Sequence, residues 1–357
     1  MQPLVVLTRS NQVESLHQGY VCVASSEGQV RYSLGDLQTK IFLRSSAKPL
    51  IAVALVESGA LEKFEISPRE LAVICSSHSG QDFHRQAVSS ILKKIGLDEQ
   101  FLLCGRANPY NRQMNEKLIK RGERPSPLYN CCSGKHAGML ALCRYFGYPV
   151  ERYTDPEHPV QQLILKTIGD LLDCDSSEIC TGTDGCGAPN FQLSMQQAAY
   201  LFAQLAQGGK GQQKHSGSLG LIKRAMTSFP RMVNGDGEFC TDLIKQSGGR
   251  VIGKVGGEGV YCAAVLDQQL GIAVKIADGN ERAAYPVMVQ ILNQLGVFSQ
   301  AELDGLRLWA CPPLKNHHGK VIGYTLPVFD LGQGARAGAK IGHPYELRNV
   351  PEGDVFN

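Results

Sequence analysis

Arg44-Ser45-Ser46-Ala47-Lys48-Pro49 is the stretch on which the reading of this chain turns. Ser45 stands three residues before Lys48, and an apolar run over 49–59 follows at once, with Leu50, Ala52, Ala54 and Leu55 along it. Pro49 suits a first helical turn, whose N–H groups lack an internal partner. The spacing predicts Ser45 and Lys48 at a helix start, on one face. A serine hydroxyl is a poor nucleophile until a base takes its proton, and a neutral lysine amine within about 3 Å can do so. Lysine ordinarily titrates near about 10.4, so neutralising it at neutral pH costs roughly 4–5 kcal/mol. Burial, a helix N-terminus and a second lysine each lower that cost. Alone, Ser-x-x-Lys is a common spacing and serine an ordinary helix cap, so the chemistry rests on what else the chain carries.

The rest of the chain bounds the answer. Its 357 residues are 43% hydrophobic and 19% charged, which describes a globular protein with a sizeable core. The net charge is only +3, with no dense Lys/Arg run, so nucleic acid and membrane surfaces are not expected partners. The first residues lack a basic segment followed by a long apolar one, and no stretch approaches a membrane span in length. Twelve cysteines without an export signal read as reduced thiols, and the expected location is the cytoplasm.

Strands are expected over 4–7, 17–25 and 30–34, forming an antiparallel meander. Ser67-Pro68-Arg69-Glu70 reads as a capped helix start, and 81–95 as an amphipathic helix. Residues 105–130, rich in Asn, Arg, Pro and Gly, read as a long ordered loop. Helices follow Cys132 and His158, and Cys180 to Gly187 reads as a glycine-rich loop. Two more helices are expected over 194–205 and 218–226, separated by a polar, mobile segment over 208–216. Residues 260–266 and 270–276 read as a hairpin, 280–295 as a helix, and 321–324 as a last strand before a polar tail. Strands at both ends with helices between predict one sheet joined by the termini, beside a helical half.

Three features join Ser45 and Lys48. Ser76-Ser77-His78-Ser79-Gly80 ends an apolar run, and by itself is equally a capped turn. Lys254-Val255-Gly256 enters a strand, where a lysine offers a cation and the glycine lets a substrate approach the backbone. Ser-x-x-Lys, a serine cluster and Lys-x-Gly occur in the order used by penicillin-recognising serine enzymes. The third feature is Cys132, Lys135 and Cys186, with Cys131 adjacent, in glycine-rich turns that could offer thiolates to a metal or simply bury inert thiols. Gly134-Lys135 is no phosphate-binding loop, because the upstream glycine is missing and His136 replaces Ser/Thr. His78 and His136 read as proton shuttles or as hydrogen-bonded structural residues, and His317-His318 as a solvated loop.

At these motifs the chain resembles the L-asparaginase II family of the Rhizobium etli type. The resemblance is carried by residues 44–49, Cys75 to Gly80, Asn130 with Cys132 to Gly138, Thr183 to Gly187, Gly253 to Gly259, and Asp278-Gly279 with Arg282. It implies one catalytic domain over 1–357, of α/β class, similar to serine β-lactamases and glutaminases. It also implies hydrolysis of L-asparagine to L-aspartate and ammonia by a homodimer. Two Ser–Lys pairs fall on Ser45 with Lys48 and on Ser77 with Lys254. The family's zinc ligands fall on Cys132, Lys135 and Cys186; a lysine ligand must be neutral. Cys131 departs from the pattern and leaves open which cysteine binds.

The expected mechanism is an acyl-enzyme route. Lys48 takes the Ser45 proton, Ser45 attacks the carboxamide, backbone N–H groups hold the oxyanion, and Ser77 beside Lys254 relays a proton to the leaving ammonia. The two serines could exchange roles. Arg44 and Asp184 are the substrate-binding candidates, since a free amino acid carries one charge of each sign. Alternatives are a glutaminase or β-lactamase-like amidohydrolase, and a non-catalytic zinc or amino-acid binding protein.

Overall fold

The chain is described by a computed structural model, which covers residues 1–10, 12–210 and 214–333. The centre of the expected 208–216 segment and the polar tail beyond 333 lie outside the described residues.

The fold is mixed α/β around a curled antiparallel sheet. Strands β1 (Gln2–Arg9), β2 (Gln12–Ser25) and β3 (Val30–Leu34) open the chain as the expected meander. A short β4 (Lys40–Phe42) leads into the Ser45 turn. The middle of the chain supplies β5 (Cys180–Thr183) and β6 (Pro189–Ser194). The C-terminal part supplies β7 (Val251–Gly257), β8 (Val260–Val265), β9 (Leu270–Ile276), β10 (Pro313–Lys315) and β11 (Val321–Pro327). The main sheet runs β10-β11-β1-β2-β9-β8-β7, with β3 also paired to β2. β1 pairs antiparallel with β11, so both ends of the described chain do meet in one sheet. β8 is buried along its whole length, as a strand covered on both faces must be.

The helical half packs against this sheet. The helix Lys48–Ser58 is buried from Lys48 through Val56 and is apolar nearly all round, the pattern of a helix enclosed by others. Ser67 caps Pro68–Ile74 in a reciprocal box with Glu70. Ser133–Phe146 lies against that helix so closely that a Cβ on Gly134 would come within 2.1 Å of the Val73 carbonyl oxygen. Gly134 is thus a packing device between helices.

Two expectations change. The stretch 105–130 contains the helix Arg112–Arg121, capped by Asn111, with only Met114 and Leu118 buried. Cys180 to Gly187 is a strand and a turn, because β4, β6 and β5 form a separate three-stranded sheet. Among the described residues no helix is long and apolar enough to cross a membrane.

Candidate functional site

The site forms where the Ser45 turn, the end of the Pro68–Ile74 helix, the start of the Ser133–Phe146 helix and edge strand β7 converge. Residues 44–47 form one 3₁₀ turn, and Lys48 begins the long helix with its N–H bonded to the Ser45 carbonyl. Arg44 has a positive φ of 52°, a left-handed conformation rare for a non-glycine residue. Its own N–H donates to Asn190 Oδ1 at 2.8 Å, which ties the strained turn to β6.

Lys48 does not turn back to Ser45. Its side chain runs inward and is 1% exposed, with Nζ 3.2 Å from Ser77 Oγ and 3.1 Å from the Cys131 carbonyl oxygen. A buried amine must find acceptors, and those two lie within reach. Lys254, on β7 and fully buried, places Nζ 2.7 Å from the same Ser77 Oγ and 3.0 Å from the Val255 carbonyl. Both lysines therefore converge on one serine. Burial first, and then the charge of Lys48, lower the pKa of Lys254 to about 8. Ser77 is held through its backbone: its N–H donates to Val233, and its carbonyl accepts from Asn234 Nδ2 at 2.7 Å. Ser45 is half-buried, and its hydroxyl makes no hydrogen bond among the described residues.

Ser45 and Ser77 line one cleft of about 550 Å³, together with Arg44, Asp184, Cys131, Cys132, Cys186 and Gly256. Tyr110, Asn234, Glu238, Glu281 and Tyr285 also line it and were not singled out in the sequence. Burial, with the nearby carboxylates of Asp242 and Glu281, raises the Glu238 carboxyl to about 7. The Arg44 guanidinium is already paired, with Nε 2.7 Å from Asp184 Oδ1.

One wall of the cleft is a sulfur cluster. The turn between β5 and β6 closes with the Asp184 N–H on Ala188 and the Gly187 N–H on Asp184, and this presents Asp184 and Cys186. Asn130 accepts from the Cys132 N–H and donates to the carbonyls of Cys104 and Gly105, which fixes Cys132 just before its helix. One ligand atom from each of Cys132, Asp184 and Cys186 lies within 4.8 Å of the others. Lys135 Nζ is 3.1 Å from Cys186 Sγ. Burial opposes the charge of Lys135, but Cys186, Cys132 and Asp184 outweigh it and hold its pKa above the ordinary value. Hydrogen bonds from Cys131 and Cys186 pull the Cys132 thiol well down, while the bond to Cys132 and burial push Cys131 up. Two sulfurs and a carboxylate in this compass, with an amine beside one of the sulfurs, suit zinc, which takes S, N and O donors; zinc would displace the lysine proton. Cys180 is exposed and outside the cluster.

Both histidines near the site are buried and hydrogen-bonded to protein groups. His78 Nδ1 accepts from the Gly80 N–H, and Nε2 lies 2.8 Å from Ser133 Oγ. His136 bonds Tyr153, and burial lowers its pKa to about 3. His317 and His318 lie exposed in a turn.

No curated protein matches the chain. Among solved structures it is similar to Mglu in its native form, with 11% identity and a TM-score of 0.42, covering 79% of this chain and 66% of that one. The chain thus spans just under two thirds of the length of Mglu. It is also similar to a β-lactamase from Mycobacterium bovis, with 16% identity and a TM-score of 0.40, covering 77% of this chain and 94% of that one. The family model of L-asparaginase II matches residues 5–327, nearly the whole chain, and the protein belongs to that family.

Proposed function

We propose that the protein hydrolyses L-asparagine to L-aspartate and ammonia, with Ser45 as nucleophile and Ser77 as a proton relay between two lysines. The family supports an amidohydrolase acting on a small molecule. The observation that carries the mechanism is the meeting of Lys48 Nζ and Lys254 Nζ on Ser77 Oγ, at the floor of the cleft that Ser45 lines. A hydroxyl held between two amines and 4% exposed is placed to pass protons. A half-buried hydroxyl with no hydrogen-bond partner among the described residues, lining the same cleft, is free to attack.

In this reading a neutral amine of the pair accepts the Ser45 proton by way of Ser77. Ser45 Oγ attacks the side-chain carboxamide carbon, and the relay returns the proton to the departing ammonia. Water then cleaves the ester by the same groups in reverse. The Ser77 N–H is already given to Val233, so it is not a donor to the oxyanion. The Arg44 guanidinium meets the substrate carboxylate, and Asp184 and Glu238 offer carboxylates to its ammonium. Cys132, Lys135 and Cys186 would hold zinc, with Asp184 beside them. When bound, zinc supplies a fixed positive charge at the cleft wall. Lys254-Val255-Gly256 on an edge strand, opposite a helix that starts at Lys48, supports the likeness to serine β-lactamases and glutaminases. A single catalytic domain, the Rhizobium etli type, a homodimer and the cytoplasm complete the proposal.

The test is ammonia release from L-asparagine and L-glutamine by wild type, Ser45→Ala and Ser77→Ala, beside hydrolysis of a chromogenic β-lactam. Release from asparagine, lost in Ser45→Ala, is the expected result. The two amides differ by one methylene, worth about 1–3 kcal/mol in binding, so glutamine is expected to be a weaker substrate. Binding of asparagine without release by wild type would replace the proposal with a binding protein.

A further inference from the structure

Cys131 is the one sulfur at the cleft wall that stands outside the compact donor cluster, yet it touches a member of it. Its Sγ lies 3.8 Å from Cys132 Sγ. It is partly exposed and lines the cleft, so a small solute reaches it. Its backbone carbonyl is also the second acceptor of the buried Lys48 amine, at 3.1 Å. The adjacent pair therefore connects two things that are otherwise separate: a thiol of the candidate metal set and the acceptor that orients a lysine of the relay.

We propose that Cys131 is a resolving thiol which, in the presence of a peroxide, captures Cys132 as a reversible vicinal disulfide, expels the metal and slows the Ser77 relay. The chemistry closes with one peroxide. The Cys132 thiolate, leaving the metal, attacks a peroxide oxygen, the O–O bond breaks, and the departing hydroxide takes a proton from solvent to leave as water, so that Cys132 becomes a sulfenic acid. Cys131 sulfur then attacks Cys132 sulfur, the S–OH bond breaks, and a second water leaves with the Cys131 proton. Two sulfurs each lose one electron, and the two peroxide oxygens gain them.

Geometry makes the product labile. Adjacent Cα atoms are about 3.8 Å apart across a trans peptide, below the usual disulfide range of about 4.4–6.8 Å. The linkage is therefore strained and readily reduced. Closing the ring twists the 131–132 peptide and moves the carbonyl that Lys48 uses. Cys186 is the rival partner. It sits in the β5–β6 turn, within 4.8 Å of Cys132, but it is itself a member of the donor set and is engaged by Lys135.

The metal half of this inference rests on the zinc reading above, whereas the disulfide half does not. The full chain, loaded with zinc, is titrated with hydrogen peroxide. Peptide mapping locates the linkage, a chromogenic chelator reports zinc, and ammonia release reports turnover. The expected result is a Cys131–Cys132 linkage, one zinc released per linkage, and recovery of thiols and turnover with a thiol reductant and zinc. Cys131→Ser is expected to lose zinc more slowly, on the order of tenfold; Cys131→Ala serves if the serine variant does not fold. A Cys132–Cys186 linkage, irreversible sulfinic acid, or equal zinc loss in the variant would overturn the proposal. A wild-type chain that binds no zinc defeats the metal reading, and mapping still decides the linkage.

Discussion

Two buried lysines, each hydrogen-bonded to a residue that lines the cleft, are driven in opposite directions. Lys254 and Lys135 are 0% and 3% exposed, and burial penalises the charge of both. Lys254 faces Lys48 and a hydroxyl, and its pKa falls to about 8. Lys135 faces two thiols and a carboxylate, and its pKa rises. Burial alone therefore predicts the fall at Lys254 but not the rise at Lys135, where the neighbours reverse its sign. In the proposed function the first lysine trades a proton and the second gives up its proton only to a metal. The fold keeps them apart by placing one on edge strand β7 and the other on the helix Ser133–Phe146.

The largest effect that bears on this contrast is expected from Ser45→Ala. It should lower turnover by about 10³-fold or more, with the circular dichroism spectrum unchanged. A greater loss in Ser77→Ala together with near-normal Ser45→Ala would exchange the roles of the two serines. Lys254→Met comes next, at about 10²–10⁴-fold, the usual range for an acid–base group. The pH profile carries the sign. An amine lowered to about 8 is mostly protonated below that pH and neutral above it, so wild-type kcat/KM should rise with pH through about 8. That limb should vanish in Lys254→Met. A flat wild-type profile between pH 6 and 9 would remove Lys254 from the proton path.

Lys135→Ala tests the other side of the comparison. It should weaken zinc about 10–100-fold in competition with a chelator, while ammonia release by the zinc-saturated variant falls less than in Lys254→Met. Equal losses in both assays would mean that the two lysines act as one unit.

How much of this was legible in the sequence follows the range of each signal. Ser67 with Glu70, the 260–276 hairpin and the helix after Lys48 are local patterns, and each formed where expected. The spacing of Ser45 and Lys48 also placed both at one turn. It could not say where a flexible four-carbon side chain would go, and Lys48 went to Ser77, 29 positions away, because buried acceptors lay there. The helix Arg112–Arg121 was hidden because Met114 and Leu118 alone give its buried stripe amid charged residues. Strand β4 has three residues and β5 four, too short to show alternation. Tyr110, Glu238 and Tyr285 enter the cleft only through tertiary packing. The cysteine-bearing turns were legible as a group, since family resemblance marks positions and not distances.

The smallest of these effects is expected at Gly134, and it bears on whether the two lysine environments are independent. Gly134 precedes Lys135 and lies against Val73, four residues before Ser77. A methyl group there would meet the Val73 carbonyl oxygen at 2.1 Å, and a backbone atom yields less readily than the end of a side chain. The helix Ser133–Phe146 must then move away from Pro68–Ile74. Overpacking of this kind costs about 1–3 kcal/mol, read as a lower thermal midpoint for Gly134→Ala. Because the same contact spaces the sulfur wall from the serine floor, the shift should weaken zinc and slow turnover together, each by less than the direct substitutions. If zinc affinity falls while turnover per folded molecule stays at the wild-type level, the two lysines flank one cleft without sharing a framework. Their opposite proton affinities would then be separate adaptations, and not two consequences of one helix contact.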